Sequence, residues 1–327
     1  MRDDVSPWLH QGLNALQSLV LIVAQVGILG WVGWILAGLD GLVVAAVLCG
    51  ITVAMSLATG PMAALQFYGA RPIHPQRAPE LYRALELLTR RGELPAVPVL
   101  HYVPSSVLNA FATGSREASA IAITDGLLRT LTRRELVGVL AHELSHVRHN
   151  DIWVMALSSA VTRMTLVFSQ VGQLILVFFA LPAALMGLAD VSLGALLILV
   201  LSPTAVILLQ LALSRTREFD ADRGAVALAR DPEGLASALA KLERYQHGWW
   251  RQILPGGQPR QAPEWLLTHP PTAERIRRIG EYAAALGLEA EPGPTPLAQA
   301  LRGHNLGLTA AYPVALRRPF WHFYLRG

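Results

Sequence analysis

The amino-acid sequence predicts a mostly helical α+β membrane protein with four transmembrane helices and a further domain that contains a small β-sheet. The first observation is composition: 53% of the 327 residues are hydrophobic and only 15% are charged, against about 25% charged residues in soluble domains. The second is the mean hydropathy of +0.39. The third is that the apolar residues form long uncharged windows separated by polar segments.

Four uncharged windows predict the transmembrane helices. Each holds close to the roughly 20 apolar residues that a helix needs to cross about 30 Å of hydrocarbon. Buried helices of a large soluble core are the alternative, but such helices are usually shorter and amphipathic. The first window is too long for the apolar core of a cleaved secretory signal, so it is predicted to be retained. The windows span residues 15–38, 41–65, 165–185 and 192–213.

The distribution of basic residues predicts the orientation in the membrane. The short gaps at Asp40 and at residues 183–191 contain no Lys or Arg, whereas the long polar segments hold nearly all of them. Cytoplasmic loops carry that excess, so both long segments and both termini are predicted to lie in the cytosol. A net charge of +4 is ordinary for a protein on the cytosolic side of a lipid bilayer, and no nucleic-acid partner is expected.

This topology divides the chain into five parts. Two membrane hairpins are expected at residues 1–65 and 152–213. The polar segments 66–151 and 214–290 are predicted to form the two halves of one domain, because the second hairpin returns the chain to the same membrane face. Residues 291–327 form a tail that lies either on the lipid headgroups or in solvent.

Short apolar and alternating runs predict the sheet of this domain. A helix is predicted over residues 79–91, and the apolar run PVLHYV follows at residues 98–103. The runs NAFATG, residues 109–114, and SAIAIT, residues 119–124, flank a short polar turn. Their alternation of small, β-branched and aromatic side chains is typical of a β-hairpin.

Two helix starts are marked by capping residues. Thr132 and Glu135 have the spacing of a capping box, in which each side chain satisfies a backbone N–H of the first turn. The helix that begins there is expected to continue to a break near Asn150. Asp231 followed by Pro232 has the form of an N-cap with proline at the first helical position.

The predicted helix after Thr132 carries the sequence HELSH, which has the spacing of a metal site. His142 and His146 are four residues apart, so their rings stand one turn apart on one face. Two imidazoles in this arrangement can bind one Zn²⁺. Glu143 is offset from them and can act as the base that takes a proton from a water molecule, as in H-E-x-x-H metalloproteases. A polar helix face satisfied by hydrogen bonds is the alternative.

A zinc site needs a third protein ligand, and Glu218 is the better candidate. His149 lies on the same straight helix and cannot easily complete a tetrahedron, so a solvated or substrate-facing histidine is expected there. Glu218 and Asp222 are four residues apart on a second helix. Glu218 can ligate, and Asp222 can accept a hydrogen bond from the free ring nitrogen of a ligating histidine. An ordinary charged face paired with neighbouring arginines is the alternative.

Four motifs in this order, NAFATG, HELSH, SRTREFDAD and THPPTAERI, resemble those of the HtpX-type membrane metallopeptidases, which are related to the CAAX prenyl proteases. The resemblance implies a zincin-like cytosolic catalytic domain beside the four transmembrane helices. It also implies an endopeptidase of the bacterial or archaeal plasma membrane that takes part in membrane-protein quality control. Carried over by motif, one Zn²⁺ per chain is held by His142, His146 and Glu218, and Glu143 is the base.

Two further site assignments rest on weaker patterns. The strand at residues 109–114 is a candidate edge to which an extended substrate adds by main-chain hydrogen bonds, with an internal strand as the alternative. His269, in THPP, is a candidate donor to the oxyanion of the tetrahedral intermediate; the alternative is a histidine that fixes a loop. The residues of the candidate substrate strand are Asn109, Ala110, Phe111, Ala112, Thr113 and Gly114.

The expected partners are protein substrates, membrane proteins among them, and the lipid bilayer, while the oligomeric state is left open. A catalytically silent zinc-binding scaffold is a second hypothesis, against which the intact Glu143 argues. A transporter is a third. It would be expected to hold ionisable residues inside its spans, where this chain has mainly Gln170, Gln173 and Gln210.

Overall fold

The computed structural model describes residues 7–188, 190–253 and 270–288. His269 and the tail at residues 291–327 lie outside the described residues. The described helices are α1 Pro7–Phe67, α2 Pro79–Arg91, α3 Asp125–Thr130, α4 Arg133–Arg148, α5 Asp151–Ile175, α6 Leu181–Leu185, α7 Leu193–Ala229, α8 Pro232–Ile253 and α9 Thr272–Ala285. The strands are β1 Arg71–Pro72, β2 Val99–Val103, β3 Ala110–Gly114 and β4 Ser119–Thr124.

Helix α1 doubles back on itself at Ala37 and Gly38. Both residues leave the helical conformation, and Gly38 has a φ of 58°, which glycine adopts without steric cost. Leu29, Ala45 and Cys49 share one buried cluster, although a straight helix rising 1.5 Å per residue would hold the first and last about 30 Å apart. The two halves of α1 therefore pack against each other as an antiparallel hairpin.

Among the described residues, three helices are long and apolar enough to cross a membrane: α1 from Gly12 onward, α5 together with α6, and α7. Large apolar side chains cover their outer surface, including Trp31 at 66% and Phe179 at 71% exposure. Exposing this much apolar surface costs free energy in water but not in the hydrocarbon of a lipid bilayer. The chain is a mostly helical membrane protein with a small mixed sheet.

The four strands form one sheet in the order β1-β2-β4-β3. Strands β3 and β4 pair antiparallel, so the predicted hairpin is confirmed. Strand β2 lies in the run PVLHYV and pairs parallel with β4. Within the part of the chain that the structure describes, β3 lies at one edge of the sheet, so the alternative of an internal strand is not observed.

Helix α4 packs against α7, α8 and the β-sheet. Leu136, Leu140 and Leu144 on its inner face are almost completely buried. Its first turn has the predicted capping box, with Thr132 N donating to Glu135 Oε2 at 2.7 Å. The helix ends at Arg148, which positions its last two turns, and therefore HELSH, beside the long apolar helices.

Asn150 separates α4 from α5 as a single left-handed residue with a φ of 55°. Asparagine tolerates this conformation better than most residues because its short side chain can bond locally. The predicted break is therefore confirmed. Since α5 begins at Asp151, the site segment and a candidate membrane helix are joined with almost no linker.

Candidate metal centre

The two histidines of HELSH lie on one face of α4 with their rings perpendicular. His142 Nε2 and His146 Nε2 are 3.2 Å apart. The other ring nitrogen of each histidine faces a carboxylate: His142 Nδ1 lies 3.1 Å from Asp222 Oδ1, and His146 Nδ1 lies 2.8 Å from Asp151 Oδ2. A carboxylate beside Nδ1 favours a proton on that nitrogen, so in the neutral form of each ring Nε2 is the acceptor.

Glu218 completes a three-residue cluster with the histidines. Its Oε2 lies 3.6 Å from His142 Nε2, and its Oε1 lies 3.9 Å from His146 Nε2. All three ligand atoms lie within 4.8 Å of one another. Tetrahedral bonds of 2.0–2.1 Å, as zinc makes to nitrogen and oxygen, would separate neighbouring ligand atoms by about 3.3 Å. The separations in this cluster are compatible with a metal site.

The chemistry of the donor set also fits a cation. Two ring nitrogens that face each other at 3.2 Å, with a carboxylate beside them, need a positive charge between them, which either a shared proton or a metal ion can supply. Burial lowers the pKa of His146, but Asp151, Glu218 and Glu143 outweigh it and raise that pKa to about 9. The surrounding carboxylates therefore favour positive charge at this point of the molecule.

Close packing between α4 and α7 brings Glu218 to the histidines. A Cβ atom at Gly224 would lie 2.0 Å from Ser145 Oγ and 2.9 Å from Ser145 Cβ. Only glycine permits this approach of the two helices, since any side chain there would push them apart. Glu218 lies upstream on the same helix, so its distance from HELSH depends on the contact at Gly224.

Asp222 is fully buried and forms a two-pronged ion pair with Arg275 of α9. Arg275 Nε and Nη2 donate to the two carboxylate oxygens at 2.7 and 2.6 Å. The same guanidinium places Nη1 3.3 Å from Glu218 Oε2. Arg275 thus compensates the charge of Asp222 and contacts Glu218, so these two carboxylates belong to the centre rather than to an exposed charged face.

Glu143 lies between the ligand cluster (His142, His146 and Glu218) and the edge of the sheet. Its Oε2 accepts a hydrogen bond from Ala112 N of β3 at 2.9 Å. Burial raises the pKa of Glu143 above its usual range, and the neighbouring His142 and His146 oppose that rise. A partly buried carboxylate with a raised pKa holds a proton more readily, which suits an acid–base role.

The free edge of β3 presents alternate backbone groups. Two backbone hydrogen bonds mark the ends of the β3–β4 ladder: Thr124 N donates to Asn109 O, and Ser115 N donates to Ala118 O. Along an antiparallel ladder, hydrogen-bonded residue pairs alternate with pairs that are not hydrogen-bonded. It follows from the register that Ala110, Ala112 and Gly114 direct their N–H and C=O groups away from β4, whereas Phe111 and Thr113 bond to it.

One strand boundary differs from the sequence-based expectation, and His149 lies outside the ligand cluster. The strand begins at Ala110 rather than at Asn109, because Asn109 bonds the cap residue Thr124 through its own N–H and C=O. His149 is partly exposed, and its Nδ1 lies 2.9 Å from the Ser145 carbonyl oxygen. It is not one of the three residues of the ligand cluster.

Asp151 and Arg275 are site residues that sequence reasoning missed. Asp151 follows the helix break directly, and a carboxylate just beyond H-E-x-x-H and a helix-breaking residue is the signal that could have identified it. Arg275 lies inside the motif THPPTAERI. That motif contributed to the resemblance without a role for its arginine, because nothing local indicates which carboxylate an arginine will meet.

Comparison with known proteins gives concordant results. Residues 75–283 match the model of peptidase family M48. A protease HtpX homolog from Acaryochloris marina is 37% identical over 82% of this chain and 91% of its own length. A protease HtpX homolog from Pyrococcus furiosus is 33% identical over 86% of this chain and 98% of its own. The crystal structure of S. mikatae Ste24p superimposes with a TM-score of 0.50 at 21% identity, over 83% of this chain and 66% of that longer chain.

Proposed function

The chain belongs to peptidase family M48 and is an HtpX-like membrane metalloprotease, and from this premise we propose a zinc-dependent endopeptidase that cleaves misfolded or damaged membrane proteins at the cytosolic membrane face. The observation that carries the proposal is the convergence of His142 and His146 from α4 with Glu218 from α7.

In this proposal, His142, His146 and Glu218 hold one Zn²⁺ per chain. Two imidazoles and a carboxylate are the ligand set of many zinc hydrolases. A bound zinc ion would supply a Lewis acid beside the scissile carbonyl group. Asp222 and Asp151 would hold a proton on Nδ1 of each ring, which would leave Nε2 of each imidazole to bind the ion.

Glu143 is the proposed general base and acid. Its carboxylate takes a proton from the attacking water and delivers it to the leaving amine. The contact with Ala112 N supports this role, because it places one carboxylate oxygen between the ligands and the strand on which a substrate would lie. The raised pKa favours transient retention of the proton on Glu143.

The free edge of β3 is the proposed substrate site, over the residues 109–114 identified in the sequence. An extended peptide would pair with Ala110 and Gly114, and its scissile bond would lie near Ala112, where Glu143 is bonded. Recognition through main-chain hydrogen bonds places few demands on side chains, which suits substrates of varied sequence. His269 stays a candidate oxyanion donor on sequence grounds.

The proposed topology has four spans, because each half of the α1 hairpin supplies one and the helices α5–α6 and α7 supply the others. The spans belong to the membrane hairpins 1–65 and 152–213, and the segments 66–151 and 214–290 form a catalytic domain in the cytosol of a bacterium or archaeon. Cysteine-accessibility labelling of Ala118→Cys in intact cells tests the orientation, and labelling from the outside would refute it.

Metal analysis combined with a cleavage assay tests the function. Purified protein in detergent is expected to contain one zinc per chain and to cleave an unfolded membrane-protein substrate. Glu143→Gln should retain zinc and lose cleavage by several orders of magnitude, because only the proton acceptor is removed. Glu218→Ala should lose both zinc and activity.

Glu86→Gln, on the exposed face of α2, is the matched control for loss of a carboxylate and should behave as wild type. Full cleavage by Glu143→Gln would remove the base assignment. An unchanged zinc content in Glu218→Ala would remove that residue as a ligand.

A further inference from the structure

A connected series of polar side chains leads from His146 to the first apolar helix. It consists of Asp151, Arg217 and Ser18, and we call it the polar relay. His146 Nδ1 lies 2.8 Å from Asp151 Oδ2. The second oxygen, Asp151 Oδ1, accepts from Arg217 Nη1 at 3.2 Å, and Arg217 Nη2 donates to Ser18 Oγ at 2.8 Å. The relay thus joins α4, α5, α7 and α1.

The far end of the polar relay is closed into a ring. Arg217 Nη2 also donates to Asp220 Oδ2 at 2.7 Å, and Asn14 Nδ2 donates to Asp220 Oδ1 at 2.5 Å. Ser18 Oγ in turn donates to the Asn14 carbonyl oxygen at 2.9 Å. Because every member is bonded to its neighbours, the ring holds the guanidinium of Arg217 in one orientation relative to α1.

Burial makes this arrangement sensitive to the loss of any member. Asp151 is 2% exposed and Ser18 is 6% exposed, so water cannot readily replace a missing partner. Arg217 meets three oxygens from three helices with a rigid planar fork, which a lysine ammonium cannot reproduce. Among the residues that the structure describes, each oxygen of Asp151 has one side-chain partner, so a displaced Arg217 would release the carboxylate that orients His146.

We propose that Arg217 and Ser18 are positioning residues for the metal centre, so that the first membrane helix contributes to the affinity for the ion. Neither side chain contacts the ligand atoms; both act through Asp151 on the orientation of His146. This inference rests on the proposed function, because it requires that His146 is a metal ligand.

The test is the zinc affinity of the full-length protein in detergent, measured by competition with a chromophoric chelator. Arg217→Met should weaken zinc binding by about 10–100-fold, the usual effect of losing an outer partner of a ligating histidine. Ser18→Ala, one bond further from the ring, should weaken it by roughly three- to tenfold. Arg217→Lys should recover part of the affinity, since it keeps the charge without the fork.

Matched controls separate positioning from general damage. Thr52→Ala removes a hydroxyl that makes the same bond to the carbonyl four residues earlier in the same hairpin, at 2.8 Å, but it lies outside the relay. Arg277→Met removes an arginine that pairs with Glu274 and Glu281 on the surface of α9. Both variants should bind zinc as wild type does.

A double-mutant cycle gives the decisive readout. If Arg217 acts through Asp151, then Asp151→Asn combined with Arg217→Met should cost no more zinc affinity than the worse single variant. Additive losses, or wild-type affinity in both Arg217→Met and Ser18→Ala, would overturn the inference and leave the zinc enzyme intact. A wild-type protein that binds no zinc would overturn the proposed function and this inference together.

Discussion

The two histidines of the metal centre have the same kind of support from two different sets of residues. Behind His142 stands Asp222, which is held by Arg275 of α9. Behind His146 stands Asp151, which is held by Arg217 and, beyond it, by Ser18 of α1. The first support joins α4, α7 and α9, whereas the second joins α4, α5, α7 and α1.

The comparison shows that the metal centre depends on carboxylates and arginines from other helices as well as on the H-E-x-x-H helix. Each imidazole needs a carboxylate, and each buried carboxylate needs an arginine to offset the cost of its burial. The two arginines differ in how they are shared. Arg275 binds Asp222 with two prongs and also contacts Glu218, whereas Arg217 divides its donors among Asp151, Asp220 and Ser18.

The largest effect is expected from Asp222→Asn, which damages the His142 support. It removes the charge opposite a buried guanidinium, and breaking such a pair costs about 3–5 kcal/mol. A loss near 3 kcal/mol is expected, because Glu218 stays 3.3 Å from Arg275. Thermal unfolding in detergent measures it, and zinc affinity should fall by about 10–100-fold. A variant as stable as wild type would show that the pair contributes nothing net.

Asp151→Asn removes the carboxylate beside His146 and should weaken zinc binding more than it lowers the stability of the fold. Zinc affinity should again fall by about 10–100-fold. The unfolding temperature should fall less than in Asp222→Asn, because Arg217 keeps Asp220 and Ser18 as partners. Equal losses of stability in the two variants would contradict the proposed difference between the supports.

Gly224→Ala should disturb both supports through the contact between α4 and α7. The new methyl group cannot be accommodated by rotating Ser145, since its Cβ is itself 2.9 Å away. Overpacking of this kind costs about 1–3 kcal/mol, and displacement of Glu218 should weaken zinc binding. Gly280→Ala is the control: nothing lies within 4 Å of that position on α9, so helix stability should rise by up to about 1 kcal/mol. Wild-type zinc binding in Gly224→Ala would show that the helix spacing does not govern the centre.

Thr132→Ala should have the smallest effect and should leave the centre unchanged. It removes the cap at the far end of α4, where the Thr132 side chain accepts from Glu135 N at 3.4 Å. Loss of an N-cap costs about 1 kcal/mol. Calorimetry or thermal melting would measure this loss, and zinc affinity should match wild type. A fall in affinity would indicate that the site depends on the whole helix rather than on its supports.

Local signals in the sequence predicted most of the elements that carry the site. The capping box at Thr132 and the cap at Asp231, where Gly234 N donates to Asp231 Oδ1 at 3.0 Å, depend on neighbours only a few residues away. The β3–β4 hairpin and the break at Asn150 are equally local. Strand β1 was not predicted, because its two residues, Arg71 and Pro72, form too short a pattern.

Tertiary partners could be predicted only where a motif restricted the choice. Glu218 and Asp222 were identified because H-E-x-x-H demands a third ligand and a carboxylate behind a histidine. The chain contains 27 Lys and Arg residues, and no local rule assigns Arg275 to Asp222 or Arg217 to Asp151. Such pairings depend on how helices remote in the sequence pack, which the sequence of each helix does not determine by itself.

The left-handed turn at Asn150 links the position of α5 to the metal centre. Asp151 is the first residue of that helix, so its carboxylate moves with the helix as a rigid body. Rotation by one residue position corresponds to about 100° and 1.5 Å of rise, and even a small fraction of that would move the carboxylate out of reach of His146. A tilt of α5 relative to α4 would therefore change the distance between the Asp151 carboxylate and the imidazole of His146, which is 2.8 Å in this structure.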